Sequence, residues 1–261
     1  MREFNFSSHG LKLLFRTWGS GDVTIRLIHG LGEHSLRYNH VAEFFVSKGY
    51  GFAAFDLKGH GASEGKRGDG TYELMLKDIS KFLNLCEGRK VLYGHSMGGA
   101  LALYYLLRKG DVEAAIVSAP FLALAKPLSI LQKFLLRLLA RVAPGVQTSN
   151  GIDARYLSRD EEVVKAYLSD PLVHNKITPR LAMSAFRAAE WIMENALKLR
   201  TPTLIIHGTA DAITSFEANK KFAELAGCDF IAYEGFYHEP HNDVGKEKVL
   251  EDVARWLEGV L

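Results

Sequence analysis

The sequence predicts an α/β protein built on a mostly parallel sheet with helices on both faces. Three observations carry this. Short β-rich runs alternate with longer helical runs along most of the chain. Several β-rich runs are continuously apolar, such as Leu204-Ile205-Ile206, as strands covered on both faces must be. The length, 261 residues, suits one large domain or one domain with an insertion.

In chain order, strands are expected at Lys12–Thr17, Thr24–His29, Gly51–Phe55, Lys90–Tyr93, Ala114–Ser118, Thr203–His207 and Phe230–Glu234. The helical runs between them are Tyr38–Ser47, Thr71–Leu85, Met97–Arg108, Ser215–Leu225 and Val244–Leu257. From Phe121 to Leu199 no convincing strand is found. This stretch reads as helices and loops punctuated by Pro127, Pro144, Pro171 and Pro179. A crossover needs far less chain, so residues 121–178 are expected to be an insertion on top of the sheet. The core is then 1–120 and 179–261, with the run Pro179–Leu199 returning to it. A second small helical domain with its own function is the alternative.

Composition narrows the partners. Apolar residues make up 48% and charged residues 24%, ordinary for a globular chain. Against 32 Lys and Arg stand 30 Asp and Glu, so no basic excess argues for nucleic acid. Two cysteines, Cys86 and Cys228, exclude a disulfide framework and Cys-rich zinc sites, and are expected as buried thiols. The N-terminus lacks the basic and apolar regions of a signal peptide. No apolar run reaches the ~18–20 residues of a membrane span. A cytoplasmic protein is expected.

Gly94-His95-Ser96-Met97-Gly98 matches the G-x-S-x-G pattern of a serine nucleophile. The pattern alone is weak, because Gly61-Ala62-Ser63-Glu64-Gly65 matches it too. Setting separates the two. Ser96 follows an expected strand and precedes a helical run, the strand–turn–helix that a nucleophile elbow requires. Its glycines permit a tight, strained turn. The helix N-terminus places partial positive charge where an oxyanion would form. Ser63 lies in a charged, glycine-rich stretch with neither flank.

A serine nucleophile needs a base, and the base needs an orienting carboxylate. In the chain order serine, acid, histidine, Asp211 stands just past the strand ending at His207. His238 stands just past the strand ending near Glu234. Both therefore leave the sheet edge that carries Ser96. The competing assignments are a turn or N-cap role for Asp211 and His241 in place of His238. No acidic residue follows the strand ending at Ser118. Two backbone donors should hold the oxyanion: Met97 N–H, and Leu31 N–H in the small-residue loop His29–Ser35. His238-Glu239-Pro240-His241 is not a helical H-E-x-x-H pair, and Pro240 argues against a helix, so no metal is expected.

Four segments, His29-Gly30-Leu31-Gly32-Glu33-His34-Ser35, Asp56-Leu57-Lys58-Gly59-His60-Gly61-Ala62-Ser63, Gly94-His95-Ser96-Met97-Gly98-Gly99 and His207-Gly208-Thr209-Ala210-Asp211, resemble the monoacylglycerol lipase and lysophospholipase family of α/β-hydrolases. They fall in family order over nearly the whole chain. The resemblance implies an eight-stranded sheet, a helical cap and no cofactor. It implies hydrolysis of single-chain lipid esters, monoacylglycerol to glycerol and fatty acid, through an acyl-enzyme on Ser96. It carries over Ser96, Asp211 and His238 as the triad, and Leu31 and Met97 as oxyanion donors. It makes the Asp56–Ser63 segment structural, and maps polar-head contacts onto Glu33, Arg37 and His241. An ion pair closing the loop is the other reading of Glu33 and Arg37. Lysophospholipid or short- to medium-chain ester hydrolysis is the enzymatic alternative, and a non-catalytic scaffold the alternative of another class.

The first cap helix is expected over 127–143, with Pro127 at its first position and Pro144-Gly145 as its stop. Phe121 to Gly145 contains four basic residues and no acidic one. Lys133, Arg137 and Arg141 recur at helical spacing among many apolar residues. A basic, strongly apolar helix reads as a membrane-interface element, giving peripheral contact with lipid. Packing on the cap beside the acyl pocket is the alternative.

Overall fold

A computed structural model describes all of residues 1–261. Its strands are β1 (Arg2–Ser8), β2 (Leu11–Trp18), β3 (Val23–Ile28), β4 (Gly51–Phe55), β5 (Arg89–His95), β6 (Ala114–Ser118), β7 (Thr148–Ser149), β8 (Lys176–Ile177), β9 (Thr203–Gly208) and β10 (Asp229–Tyr233). Its helices are α1 (Asn39–Ser47), α2 (Tyr72–Phe82), α3 (Met97–Leu106), α4 (Ile130–Val142), α5 (Glu161–Ser169), α6 (Pro179–Glu194), α7 (Phe216–Ala226) and α8 (Lys246–Val260).

Eight strands form one sheet in the order β1-β2-β4-β3-β5-β6-β9-β10. From β4 to β10 every pairing is parallel, while β2 runs antiparallel to both β1 and β4. Successive residues of the parallel strands serve opposite faces. Phe55, Leu92, Val117 and Ile205 pack with Met75 of α2, Leu101 of α3 and Phe222 of α7. Leu27, Tyr93, Ile116 and Ile206 pack with Val41 of α1 and Val253 of α8. The central strands are therefore mostly apolar on both faces, although β3 also buries Arg26, whose guanidinium donates to the carbonyls of Cys86 and Arg89, and this apolar run made them legible.

The order reverses around β3, which leads to α1 on one face while its neighbour β5 leads to α3 on the other. The loops after β3 and β5 thus open side by side at the carboxyl edge, the crevice where such sheets bind ligands. Gly98 makes this contact close. A Cβ there would collide with the carbonyl oxygens of Ile28 and His29, so only glycine lets the start of α3 lie against the end of β3.

Four expectations need correction. The strand β1 was not anticipated, although Phe4 and Phe6 alternate with polar residues. It is an edge strand with Phe4 44% exposed, so its pattern is only half buried. The insertion is not free of strands, since β7 and β8 pair as a two-residue ribbon. Pro127 does not begin α4. Ser129 does, accepting from Gln132 N–H while the Gln132 side chain accepts from Ser129 N–H, a complete capping box. The two thiols are free and half-buried rather than buried. Within 121–178, α4 and α5 bury no residue completely, whereas α6 buries Leu181, Ala185 and Ile192 into the core. No helix is long and apolar enough to cross a membrane.

Gly98→Ala should destabilise by about 1–3 kcal/mol through backbone displacement. Gly259→Ala, in open space within α8, should be neutral or stabilising by up to ~1 kcal/mol. Urea unfolding of the two variants distinguishes them.

Candidate active site

Ser96 sits at the tip of the β5–α3 turn with φ 54° and ψ −117°, a conformation a non-glycine residue adopts only under constraint. The constraint is visible. Ser96 N–H donates to Ser118 O at 2.9 Å, and Ser96 O accepts from both Ala100 and Phe121 N–H at 3.0 Å. The strained turn points Oγ away from the sheet, and that hydroxyl donates to His238 Nε2 at 2.9 Å. On the far side of the ring, His238 Nδ1–H donates to Asp211 Oδ2 at 2.7 Å. The structure therefore brings Ser96, His238 and Asp211 into one hydrogen-bonded line. Burial alone would push the His238 imidazolium down. The Asp211 carboxylate outweighs it, helped by Glu239 and Glu33, and holds the ring above the usual histidine value.

Asp211 has more partners than sequence reasoning assigned it. Oδ2 also accepts from His207 Nε2–H and from the Thr214 hydroxyl, each at 2.8 Å. Oδ1 accepts from the N–H groups of Ile213 at 2.7 Å and Thr214 at 3.0 Å. The amide of Asn219 donates to His207 Nδ1 at 3.0 Å, which leaves the His207 proton on Nε2, facing the carboxylate. Burial would raise the Asp211 carboxyl, but His238 and His207 hold it well below the usual range. The only sequence signal for this second imidazole was its place four residues before the acid, in His207-Gly208-Thr209-Ala210-Asp211.

The loop after β3 reaches Ser96 from the other side. Gly30 packs so close that a Cβ on it would sit 3.3 Å from Ser96 Cβ. His29 pins the turn: Nδ1–H donates to Gly30 O at 2.7 Å, and Nε2 accepts from Leu57 N–H at 2.9 Å. Leu31 and Met97 line the same cavity as Ser96, and neither backbone N–H has a partner in the chain. Gly32 takes φ 83°, where a Cβ would strike His174 O, and its own carbonyl accepts from His174 N–H at 2.8 Å. The insertion is thereby clamped to this loop.

The head-group assignments of Glu33, Arg37 and His241 are corrected by their surroundings. Glu33 is buried, and its carboxylate is fully engaged by Gly30 N–H at 2.6 Å, Tyr38 O–H at 2.8 Å and Arg37 Nη1 at 2.6 Å. Arg37 closes a fork on Glu239, with both bonds at 2.7 Å, and lies under the Tyr167 ring of α5. The pair closes and braces the loop, and neither residue lines the cavity. His241 is buried against Tyr38, ring centroids 4.7 Å apart, and burial pushes its pKa down to about 3. It packs between Tyr38 and His95 and does not line the cavity over Ser96, and no group of three His, Cys, Asp or Glu side chains is placed to hold a metal. Ser63 is structural too: its hydroxyl donates to Asp56 O at 2.6 Å and accepts from Leu14 N–H at 2.9 Å.

A cavity of about 310 Å³ opens over Ser96, walled by Phe121, Leu128, Leu136 and Leu139 on one side and Leu181 and Phe186 on another. No charged side chain lines it.

Comparison with known proteins agrees with this architecture. The family profile described as "Serine aminopeptidase, S33" matches residues 20–245. An uncharacterized abhydrolase domain-containing protein of Dictyostelium discoideum is 37% identical over 94% of this chain, which spans only 27% of that protein. A monoacylglycerol lipase of Mycolicibacterium smegmatis is 30% identical, over 95% of this chain and 93% of its own length. The crystal structure of a Paleococcus ferrophilus monoacylglycerol lipase superposes with a TM-score of 0.90 at 34% identity, covering 95% of this chain and 99% of that one.

Arg37→Met should cost about 3–5 kcal/mol in urea unfolding, because it leaves the Glu33 and Glu239 carboxylates buried together without a cation. The pH profile follows from His238. The ring must be neutral to accept the Ser96 proton, so kcat/KM on a soluble ester should fall as pH drops through a midpoint above ~6.5, the ordinary histidine value. A midpoint below that value would contradict the dominance of the Asp211 carboxylate.

Proposed function

The chain belongs to the serine aminopeptidase S33 family of α/β-hydrolases, a family of serine hydrolases, and we propose that it cleaves carboxylic esters of single-chain lipids, most directly monoacylglycerol to glycerol and fatty acid. One observation carries the substrate class: the cavity over Ser96 is largely apolar and lined by no charged side chain. An aminopeptidase site needs a carboxylate to receive the substrate's ammonium group, because a buried charge without a partner is costly. An acyl chain needs only the apolar wall that Leu128, Leu136, Leu139 and Phe186 supply. The monoacylglycerol lipases among the relatives support the same reading.

In the proposed reaction Ser96 Oγ attacks the ester carbonyl while His238 Nε2 takes its proton. The N–H groups of Leu31 and Met97 stabilise the oxyanion, aided by the N-terminus of α3. His238 returns the proton to the departing glycerol oxygen. Water, deprotonated by the same ring, then releases the fatty acid. Asp211 stays ionised and keeps the ring in the tautomer that leaves Nε2 open. Residues 121–178 form the cap that walls the acyl pocket.

The cap also serves as a peripheral docking surface for lipid. On α4, Ile130 is 89% and Val142 67% exposed, and Leu131, Phe134, Leu135 and Leu138 between them are exposed as well. Each such side chain removed from water contributes ~1.5–3 kcal/mol when fully covered. The opposite side of the same helix, through Leu136 and Leu139, walls the cavity over Ser96. A lipid surface against α4 therefore lies next to the acyl pocket.

Ser96→Ala should lower kcat by ~10⁴-fold or more, with a residual rate from the oxyanion donors. Ser63→Ala should lose about 1 kcal/mol of stability and retain turnover. For substrate class, kcat/KM should be highest for monoacylglycerols, lower for lysophospholipids and negligible for aminoacyl anilides; a preference for the anilides would overturn the lipid reading. Replacing Ile130, Leu131, Phe134 and Leu138 together with Ser should abolish co-flotation with phosphatidylcholine vesicles and leave hydrolysis of a soluble short-chain ester intact.

A further inference from the structure

We propose that the cleft between α4 and α6 is a binding site for the phosphate of an anionic phospholipid headgroup. The cleft has a volume of about 660 Å³. It gathers four arginines: Arg137 and Arg141 from α4, Arg180 and Arg187 from α6. The sequence alone placed the α4 cations on a general basic face. In the structure they lie along one flank of the helix, beside the exposed apolar residues, and turn toward α6.

The arginines are not neutralised within the chain. Arg137, Arg141 and Arg187 make no ion pair or hydrogen bond to any other residue, and only Arg180 is paired, its Nη2 lying 2.6 Å from Asp69 Oδ2. That pair fixes where the Arg180 guanidinium stands. Glu73 is the only acid in the wall, and its Oε1 is occupied by the Tyr104 hydroxyl at 3.0 Å. Ser184 adds a donor: its Oγ accepts Tyr72 N–H at 2.9 Å, and its own O–H is unspent. Like charges held around one cleft repel, and an anion entering it removes that repulsion. Guanidinium groups are weakly hydrated and match the oxygens of phosphate in pairs.

The apolar face of α4 selects the source of the phosphate. This step rests on the docking reading above: a bilayer that receives Ile130, Phe134 and Leu138 brings its headgroups level with the flank that carries Arg137 and Arg141. The established pocket over Ser96 plays no part, because no arginine lines it.

Flotation of the full-length protein with phosphatidylcholine vesicles, with and without phosphatidate, tests the site. Phosphatidate should tighten binding by about tenfold or more, since each basic residue near an anionic surface contributes on the order of 1 kcal/mol. Arg141→Gln with Arg187→Gln should remove that increment and leave turnover of a soluble short-chain ester unchanged. Lys126→Gln with Lys133→Gln removes the same charge nearby but outside the arginine cleft, and should retain most of the increment. Equal loss in the two double variants would reveal a diffuse basic surface and overturn the proposal. Binding to phosphatidylcholine with no increment for phosphatidate would refute the cleft and leave the docking surface standing. Failure to bind either vesicle would refute the docking surface, and the lipid occupant with it. Saturable binding of glycerol 3-phosphate by calorimetry, without a vesicle increment, would assign the cleft to a free phosphate and overturn the lipid source.

Discussion

Asp211 is an ionised carboxylate with almost no access to water, and the carboxyl-terminal third of the fold is arranged to keep it so. An uncompensated buried charge costs several kcal/mol, and here five donors offset that cost. They come from separate places: the end of β9, the turn that follows it, and the loop beyond β10. The first residues of α7 take part indirectly, because Asn219 decides which nitrogen of His207 carries the proton. A shift of any of these elements would leave a charge or a donor stranded. The carboxylate is thus a packing constraint on β9, β10 and α7 as well as the support of His238.

A second charged knot lies on the other side of His238. Glu33 and Glu239 share Arg37, so the knot carries one net negative charge beside the imidazole. It joins two segments far apart in the chain, the loop after β3 and the loop after β10, and Tyr167 of α5 covers the guanidinium. The two carboxylates that brace the loop after β3 through Arg37 therefore also raise the affinity of His238 for a proton. Positioning and electrostatics are inseparable here, and a substitution in the knot disturbs both.

Much of this was legible in the sequence, for identifiable reasons. The central strands carry apolar residues on both faces, so β3, β4, β5, β6 and β9 stood out even though β3 includes Thr24 and Arg26. Ser96 was separated from Ser63 by its flanks, and Asp211 and His238 by their places after strand ends. What escaped depended on direction rather than identity. Glu33, Arg37 and His241 lie in the segments expected, but whether they face the cavity or the interior is decided by Tyr38 and Glu239, whose contacts cross the chain. The ribbon β7–β8 has two residues per strand, too few to carry a periodicity. At the start of α4, Pro127 gave a familiar cue that Ser129 and Gln132 supersede by satisfying two end groups at once.

The insertion is fastened unevenly. Its returning end is tied to the core backbone to backbone, His174 to Gly32 at 2.8 Å and Thr178 to Gly68 at 2.9 Å, whereas α4 completely buries none of its own side chains. The two halves can therefore change at different tempos. Residues around α4 are free to diversify in size and shape, and a lineage can move among acyl chains by rewriting them. The stretch from His174 to Thr178 has no such latitude, because an added or lost residue there would pull on Gly32 and disturb Leu31 beside it. One wall of the cavity over Ser96, at Leu136 and Leu139, is thus held loosely, and the other, at Ile177 and Thr178, is held tightly.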